Sequence, residues 1–269
     1  MSSSYYNYYE SSGLLHGSML NIMGTRFDIL IVVDNIVIGE NIWNDIKFEL
    51  LRLNKIFNRF DKMSEVSQVN NCNSSCIVSA EMMKILVDCK RYHAQTLGLF
   101  DVTRKNFDNV LLVEQSKSVS FLDEDISIDF GGIAKGYAVE KINDILKKRK
   151  IKNSFCNFGN SSIYGLGANP QGDFWLVGVE NPNNKDEIWG EFNLKNEALS
   201  TSGNIPLNSR HIINPFTGSY IDEKKIVCVK TKNSIDAEVL STTLMIAKKE
   251  ESKRILNNFD VSDILIRKF

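Results

Sequence analysis

Apolar and polar residues recur with two different periods along this chain, and together they predict a mixed fold. Apolar positions at helical spacing predict helices at residues 41–60, 80–97, 137–148 and 236–249. Apolar runs rich in β-branched and aromatic residues predict strands at 27–33, twice between 109 and 128, and in the second half at 153–159, 161–167, 173–180, 189–194, 197–203, 225–230 and 263–269. Regular βαβ alternation is absent, so we expect an α+β fold with antiparallel-rich sheets in a single compact domain.

The first 20 residues depart from this pattern because they are polar and rich in tyrosine and serine. We expect residues 1–20 to form a poorly ordered leader and residues 21–269 to form the folded domain. The leader has neither a basic n-region nor a long apolar run, which argues against a signal peptide or a transmembrane segment. We therefore expect a cytoplasmic protein, although an export signal or anchor removed ahead of Met1 would change that expectation.

Charge and cysteine content narrow the possible partners. The formal net charge is -1, from 32 basic and 33 acidic side chains, so no global field favours nucleic acid or an anionic membrane. An anionic ligand must therefore be held by local groups. The five cysteines are odd in number and scattered, which argues against a disulfide framework and for a reducing compartment. The three histidines lie too far apart in sequence to suggest a zinc motif.

A glycine-rich segment ahead of the third predicted helix is the first candidate for chemistry. Residues 129–141 read DFGGIAKGYAVEK, and the three glycines allow the backbone to approach a ligand closely. The helix that follows offers free N–H groups and the positive end of its dipole to a phosphate, with Lys135 beside them. The spacing matches neither a Walker loop nor a Rossmann fingerprint. Taken alone, the segment also fits a tight turn with a solvated lysine.

Two further stretches carry candidate ligand groups. EALSTSGN at 197–204 and RHIINPFTG at 210–218 combine small hydroxyl residues, glycine and His211 in turns that suit a ligand. In AEVLSTTL at 237–244, Glu238 and Thr242 are four residues apart, so both lie on one helix face and could complete an oxygen-rich magnesium site. Each also has an ordinary structural explanation, with His211 packed or capping and Thr242 bonded to the helix backbone.

Taken together, seven segments resemble the ApbE family, the FAD:protein FMN transferases, in their order and approximate spacing. They are MGT at 23–25, FDKMSEVSQVN at 60–70, GLFDVT at 98–103, DFGGIAKGYAVEK, LSTSGN at 199–204, RHIINPFTG and AEVLSTTL. The resemblance implies the α+β fold of that family over nearly the whole chain after the leader. It also implies that FMN from FAD is linked to a threonine or serine hydroxyl of a target flavoprotein, with release of AMP and use of Mg²⁺.

The resemblance further implies roles for individual residues. His211 would accept the proton of the attacking hydroxyl or contact a phosphate, and Lys135 would face the phosphates. The Mg²⁺ ligands would be the carbonyl of Ala134, the catalytic carboxylate of Glu238 and the hydroxyl of Thr242. The flavin or its linkage would be contacted by Met23, Phe60, Gly131, Tyr137, Ser202 and Ile212.

The chain departs from the family pattern at several of these segments. Glu238 stands where the family has aspartate, Asn214 replaces a carboxylate, and Phe60 replaces the usual tyrosine. A Gly-Gly pair reads Gly159-Asn160 here, with one added residue before Tyr164. The segment after FDVT is short and lacks the expected tryptophan-containing stretch. Two alternatives therefore stay open: a degenerate family member that binds FAD without transferase activity, and an FAD pyrophosphatase that gives FMN and AMP.

Overall fold

The computed structural model describes residues 3–72, 74–204 and 211–269. The helices in these ranges are α1 Ile36–Phe57, α2 Glu65–Asn70, α3 Ala80–Gln95, α4 Ala134–Lys148, α5 Ser234–Ile246 and α6 Lys249–Leu256. The strands are β1 Ser3–Tyr9, β2 Leu14–Ile22, β3 Thr25–Val32, β4 Cys76–Ile77, β5 Val110–Val113, β6 Ser118–Phe121, β7 Ser154–Phe158, β8 Ser162–Leu166, β9 Trp175–Asn181, β10 Asn184–Leu194, β11 Glu197–Gly203, β12 Lys225–Thr231 and β13 Val261–Lys268. No helix in the described ranges is long and apolar enough to cross a membrane.

An eight-stranded sheet in the order β1-β2-β3-β7-β8-β11-β12-β13 forms the centre of the molecule. All of its neighbouring strands pair in the antiparallel sense. The hairpin of β9 and β10 and the small sheet β4-β6-β5 lie beside it. Mixed helices and antiparallel sheets confirm the predicted α+β class.

Three helices pack together on this sheet and position the site. Helix α5 packs on β11 and β12, α4 packs against α5, and α1 packs against α4. Helix α1 begins five residues before its predicted start because the Asn35 side chain accepts hydrogen bonds from the amides of Val37 and Ile38 and caps the helix. Trp43 of α1 and Tyr137 of α4 are among the largest fully buried side chains.

The expectation of a poorly ordered leader is wrong for residues 3–20. Strand β1 pairs with β2 along its whole length, from Ser3 opposite Leu20 to Tyr9 opposite Leu14. Tyr6 and Tyr8 pack against the core, and the Tyr8 hydroxyl donates to the carbonyl of Val33 at 3.1 Å. Because alternate strand residues point to one face, two tyrosines cover the core and offset the entropy of ordering this segment.

The chain reaches Asp129 through a loop. Strand β6 ends at Phe121, so the second of the two strands predicted between residues 109 and 128 stops well before Asp129. Instead, Asn70 at the end of α2 holds the preceding residue: its Nδ2 donates to the Ile128 carbonyl at 2.9 Å and its Oδ1 accepts the Ile128 N–H at 2.7 Å. Helix α2 itself lies between the helices predicted at 41–60 and 80–97, where the sequence pattern predicts no helix.

Candidate functional site

A cavity of about 680 Å³ opens beside the N-terminus of α4. Its wall combines the β2–β3 turn, the segment at 99–104, the glycine loop, β11, the segment at 211–213 and one face of α5. The structure brings most of the predicted site residues to this wall. These are Met23, Gly131, Lys135, Ser202, His211, Ile212, Glu238 and Thr242.

The glycine loop turns into α4 as predicted, but the helix begins three residues before its predicted start at 137 and includes the third glycine. Oδ1 of Asp129 accepts the N–H of Gly131 at 2.9 Å, a short 3₁₀ turn spans Phe130–Gly132, and α4 begins at Ala134. The third glycine has a packing role. A Cβ atom at Gly136 would lie 2.6 Å from the Ser234 carbonyl oxygen, so only glycine allows α5 to approach α4 this closely.

Glu238 reaches across from α5 into the first turn of α4. Its carboxylate contacts Nζ of Lys135 at 2.6 Å and also accepts the backbone N–H of Gly136. The Glu238 side chain is only 4% exposed. A charge buried to this degree requires such partners, so the ion pair and the helix N–H together keep the carboxylate in place.

Hydroxyl groups from β11 and α5 form a network on the same wall. Oγ of Ser241 donates to the Glu238 carbonyl at 3.1 Å, and it lies 3.0 Å from Oγ of Ser200 and 2.8 Å from Oγ of Ser202. Oγ of Ser202 in turn lies 3.3 Å from Oγ1 of Thr242. If Ser241 donates to the carbonyl, its oxygen accepts from both serines, and Thr242 donates to Ser202. This direction leaves the lone pairs of Thr242 available to the cavity.

The segment with His211 and Ile212 forms another part of the wall, while Arg210 lies outside the described residues. Asn214 closes the turn that follows. Its Oδ1 accepts the N–H of Phe216 at 2.9 Å, and its carbonyl accepts the N–H of Gly218 at 2.8 Å. An amide side chain therefore fixes this turn without the charge that the family's carboxylate would add.

Two arginines that the sequence reasoning did not select meet at Asp129. Nε of Arg59 lies 3.1 Å from Oδ2 of Asp129, and Nη2 of Arg104 contacts the same oxygen. Arg104 lines the cavity. The signal in the sequence is the shortened segment after FDVT, because Arg104 is the first residue beyond that motif.

Asp101 determines where Arg104 lies. Its Oδ1 accepts both the N–H and the hydroxyl of Thr103, at 2.7 and 2.6 Å, and its Oδ2 accepts the N–H of Phe107 at 2.9 Å. Within this turn Arg104 has a left-handed backbone with φ 58°. The FDVT motif therefore acts here as a rigid turn that aims the next side chain at the cavity.

Three predicted site residues lie away from the cavity wall. Phe60 is 81% exposed, and the guanidinium of Arg59 lies 4.5 Å from its ring centroid. Tyr137 is 2% exposed, donates its hydroxyl to Glu81 and packs edge-on against Phe57. Ala134 is buried in the first turn of α4. Tyr137 follows Lys135 by two residues, which places it on a different helix face, so this geometry does not support its predicted flavin contact.

Asp236 is also directed away from the cavity, which agrees with its position two residues before Glu238. Its Oδ1 accepts the Tyr92 hydroxyl at 2.6 Å. Burial and the neighbouring Asp236 charge raise the pKa of Tyr92, so this hydroxyl stays protonated and keeps the carboxylate occupied. Asp236 therefore does not substitute for Glu238.

The fold and the cavity define an α+β protein whose candidate ligand site is built on a glycine loop and a helix N-terminus. This chain belongs to the ApbE family, whose family model matches residues 23–118 and 104–265. The resemblance inferred from the seven segments is thereby confirmed.

Individual relatives agree with this assignment. The chain is 24% identical over 286 residues to the FAD:protein FMN transferase of Vibrio cholerae, which covers 91% of this chain and 85% of that protein. It is 26% identical over 144 residues to the FAD:protein FMN transferase of Klebsiella pneumoniae, but this match spans 50% of this chain and only 43% of that relative. The crystal structure of the ApbE protein of Thermotoga maritima superposes with a TM-score of 0.80 at 21% identity, covering 99% of this chain and 94% of that one, and confirms the fold.

Proposed function

We propose that this chain transfers FMN from FAD to the hydroxyl of a threonine or serine in a target flavoprotein and releases AMP. The relatives named FAD:protein FMN transferase support transfer of a flavin from FAD to a target. The acceptor hydroxyl, the release of AMP and the use of Mg²⁺ belong to the proposal, and the resemblance to the family implies them.

The observation that carries the proposal is the convergence of Lys135, Glu238 and Thr242 on the N-terminus of α4. All three line one cavity, whose volume of about 680 Å³ is within the ordinary range for a small-molecule site. A diphosphate needs N–H donors and positive charge, and the loop, the helix dipole and Lys135 supply both. A carboxylate and a hydroxyl on the wall of the same cavity add the oxygen ligands that a divalent cation prefers.

Mg²⁺ fits these donors when it arrives with substrate phosphates. The described residues contain no cluster of three His, Cys, Asp or Glu side chains suited to a metal. Mg²⁺ is nevertheless commonly held by one or two carboxylates together with phosphate oxygens, so Glu238 and Thr242 meet this requirement. Ala134 does not line the cavity, so its carbonyl is the weakest member of the predicted set. Bound there, the ion would neutralise charge on the diphosphate.

In the proposed reaction the acceptor oxygen forms a bond to the phosphorus of the FMN half of FAD. The bond from that phosphorus to the bridging oxygen breaks, and AMP leaves with the bridging oxygen. His211 on the cavity wall accepts the hydroxyl proton. Lys135 and the N–H groups of the loop stabilise the negative charge that develops on the leaving phosphate.

The test is to incubate the protein with FAD, Mg²⁺ and a flavoprotein domain that bears an acceptor threonine. We expect AMP release and covalent flavin fluorescence on the acceptor, each only when all three are present. A His211→Asn variant should bind FAD yet transfer FMN at least about a hundredfold more slowly, which is the usual contribution of a general base. His16→Asn is the matched control, because His16 contacts Asp28 and is not part of the cavity wall.

Binding of FAD without transfer is a second candidate, and the engagement of Glu238 favours it. Both carboxylate oxygens of Glu238 already accept hydrogen bonds, from Lys135 and from Gly136, so binding Mg²⁺ requires an exchange of partners. FAD that binds without producing AMP would support this candidate. AMP that appears without an acceptor would support a pyrophosphatase, with water as the attacking group.

A further inference from the structure

We propose that Arg104 is the second cation of the diphosphate site and that Arg59 keeps Asp129 paired when Arg104 turns to the ligand. This inference rests on the proposed function, because it assumes that the cavity binds the diphosphate of FAD. It assigns a ligand-binding role to a residue in the shortened segment after FDVT.

The contacts of Arg104 hold its side chain at the cavity wall. Its side chain is 38% exposed, lines the cavity and contacts Oδ2 of Asp129. The other oxygen of Asp129 accepts the N–H of Gly131 at 2.9 Å. The guanidinium is therefore separated from the glycine loop by a single carboxylate group.

Lys135 is a second cation close to Gly131. Its Nζ lies 3.5 Å from the Gly131 carbonyl oxygen and 2.6 Å from the Glu238 carboxylate. The glycine loop therefore has two cations near it, and each is held by one carboxylate of the cavity wall. A diphosphate in a dinucleotide carries one negative charge on each phosphate, which matches two cations beside the loop. A guanidinium can also bind a phosphate through two N–H groups at once.

Arg59 makes it possible for Arg104 to change partners. An anion that removed the sole partner of Asp129 would leave a nearly buried carboxylate unpaired, which is strongly unfavourable. Asp129 has an 11% exposed side chain and is contacted by Arg59 as well as Arg104. When Arg104 rotates toward a phosphate, Arg59 at 3.1 Å remains to pair with Asp129.

The positions of the two arginines explain why Arg104, and not Arg59, would turn to the ligand. Arg104 lines the cavity, whereas Arg59 lies over the ring of Phe60, 4.5 Å from its centroid, and is not among the described residues of the cavity wall. Burial, and after it the repulsion between the two guanidinium groups, lowers the pKa of Arg104. An incoming phosphate relieves that repulsion.

The test measures FAD and riboflavin affinity by calorimetry for the full chain and for Arg104→Gln, in EDTA and in Mg²⁺. Riboflavin lacks the diphosphate and serves as the internal reference. We expect Arg104→Gln to bind FAD about tenfold to a hundredfold more weakly, the value of a lost charge-assisted hydrogen bond, with riboflavin affinity unchanged. Arg104→Lys should recover part of the loss, and the wild-type affinity for FAD should fall more steeply with salt than that of Arg104→Gln.

Lys105→Gln is the matched control. It removes the same charge one residue away, from a 52% exposed side chain that pairs with exposed Asp125 at 3.6 Å. We expect it to bind FAD like the wild type. Thermal melting shows whether each variant is folded. If Arg104→Gln does not fold, the Arg104→Lys variant decides the test, because the inference predicts a partial loss of its FAD affinity.

Several results would overturn the inference. Equal FAD affinity in Arg104→Gln and wild type would do so, as would equal losses for FAD and riboflavin, or an effect confined to the KM for the acceptor protein. These outcomes are separable from a failure of the proposed function. If the wild type binds FAD but transfers no FMN, the proposed function is refuted and the binding comparison remains valid. If the wild type and Arg104→Gln both transfer FMN and bind FAD with equal affinity, only the role of Arg104 is refuted.

Discussion

Glu238 of α5 and Lys135 of α4 form an ion pair of 2.6 Å between residues that are 103 positions apart in the chain. The Gly136 N–H donates to the same carboxylate, so one side chain joins α5 to the first turn of α4. The ligand site and the packing of two helices therefore depend on the same contact. A variant at Glu238 must consequently be judged by stability as well as by metal affinity.

Shortening this side chain tests whether Glu238 is a metal ligand. We expect Glu238→Asp to restore the family's residue, weaken the contact with Lys135 and raise Mg²⁺ affinity or the transfer rate, because Mg²⁺ tolerates poor octahedral geometry badly. The measurement is the Mg²⁺ dependence of AMP release, with a melting curve to follow stability. An unchanged Mg²⁺ dependence and rate would contradict the metal assignment. Asp236→Glu is the control, since Asp236 is bonded to Tyr92 away from the cavity.

Gly136 is expected to tolerate no side chain. In Gly136→Ala the new Cβ would lie 2.6 Å from the Ser234 carbonyl oxygen and 2.7 Å from Oε2 of Glu238, so α4 and α5 must separate. We expect a loss of about 1–3 kcal/mol in the free energy of unfolding, the usual effect of overpacking. Denaturant unfolding measures it.

Gly178→Ala provides the comparison for that prediction. A Cβ at Gly178 would lie 3.6 Å from Cδ1 of Ile188, which is ordinary contact, so its free energy of unfolding should change little. Equal effects at the two glycines would argue against the close approach of α4 and α5.

The N-terminal strand should contribute measurably to stability. Tyr8→Phe removes the hydrogen bond from the Tyr8 hydroxyl to the Val33 carbonyl while keeping the ring. We expect the free energy of unfolding to fall by about 0.5–1.5 kcal/mol. Tyr9→Phe is the control, because Tyr9 is exposed at the end of β1. If both variants unfold like the wild type, residues 3–9 behave as the leader that the sequence predicts.

Glu81 should make stability sensitive to acid. Burial alone raises the pKa of Glu81, but the hydrogen bond from Tyr137 and the charges of Lys141 and Arg52 outweigh burial and lower the pKa below its ordinary value. A carboxyl group with a lowered pKa in the folded state stabilises the protein above its unfolded pKa, and this contribution disappears as pH falls through the folded pKa.

We therefore expect melting temperatures to drop as pH falls from roughly 5 to 3, and Glu81→Gln to flatten that drop. Glu81→Gln should also be less stable than the wild type near neutral pH, because it leaves Arg52 and Lys141 without their shared partner. Exposed Glu114→Gln is the reference. Parallel acid profiles for Glu81→Gln and wild type would show that this cluster does not control acid sensitivity.

Much of the fold follows from local sequence. Helical periodicity predicts α1, α3, α4 and α5, and side-chain caps begin α1, α3 and α5. Both features depend on residues within a turn of each other. Local sequence also explains why the expectation of a poorly ordered start fails for residues 3–20. Its composition is polar, and its stability comes from pairing with β2 and from the core that lies beneath Tyr6 and Tyr8.

The sequence by itself determined the glycine loop, the presence of a helix behind it and the placement of Glu238 and Thr242 on one helix face. Only the tertiary structure decided that Glu238 meets Lys135, that Tyr137 turns toward Glu81, and that Arg104 and Arg59 share Asp129. The physical reason is the separation in sequence over which each effect acts. Backbone propensity and helical spacing act over a few residues, whereas these contacts join segments that are distant in the chain. They depend on how closely α4, α5 and the loops pack, and Gly136 allows the close approach of α4 and α5 because it has no side chain.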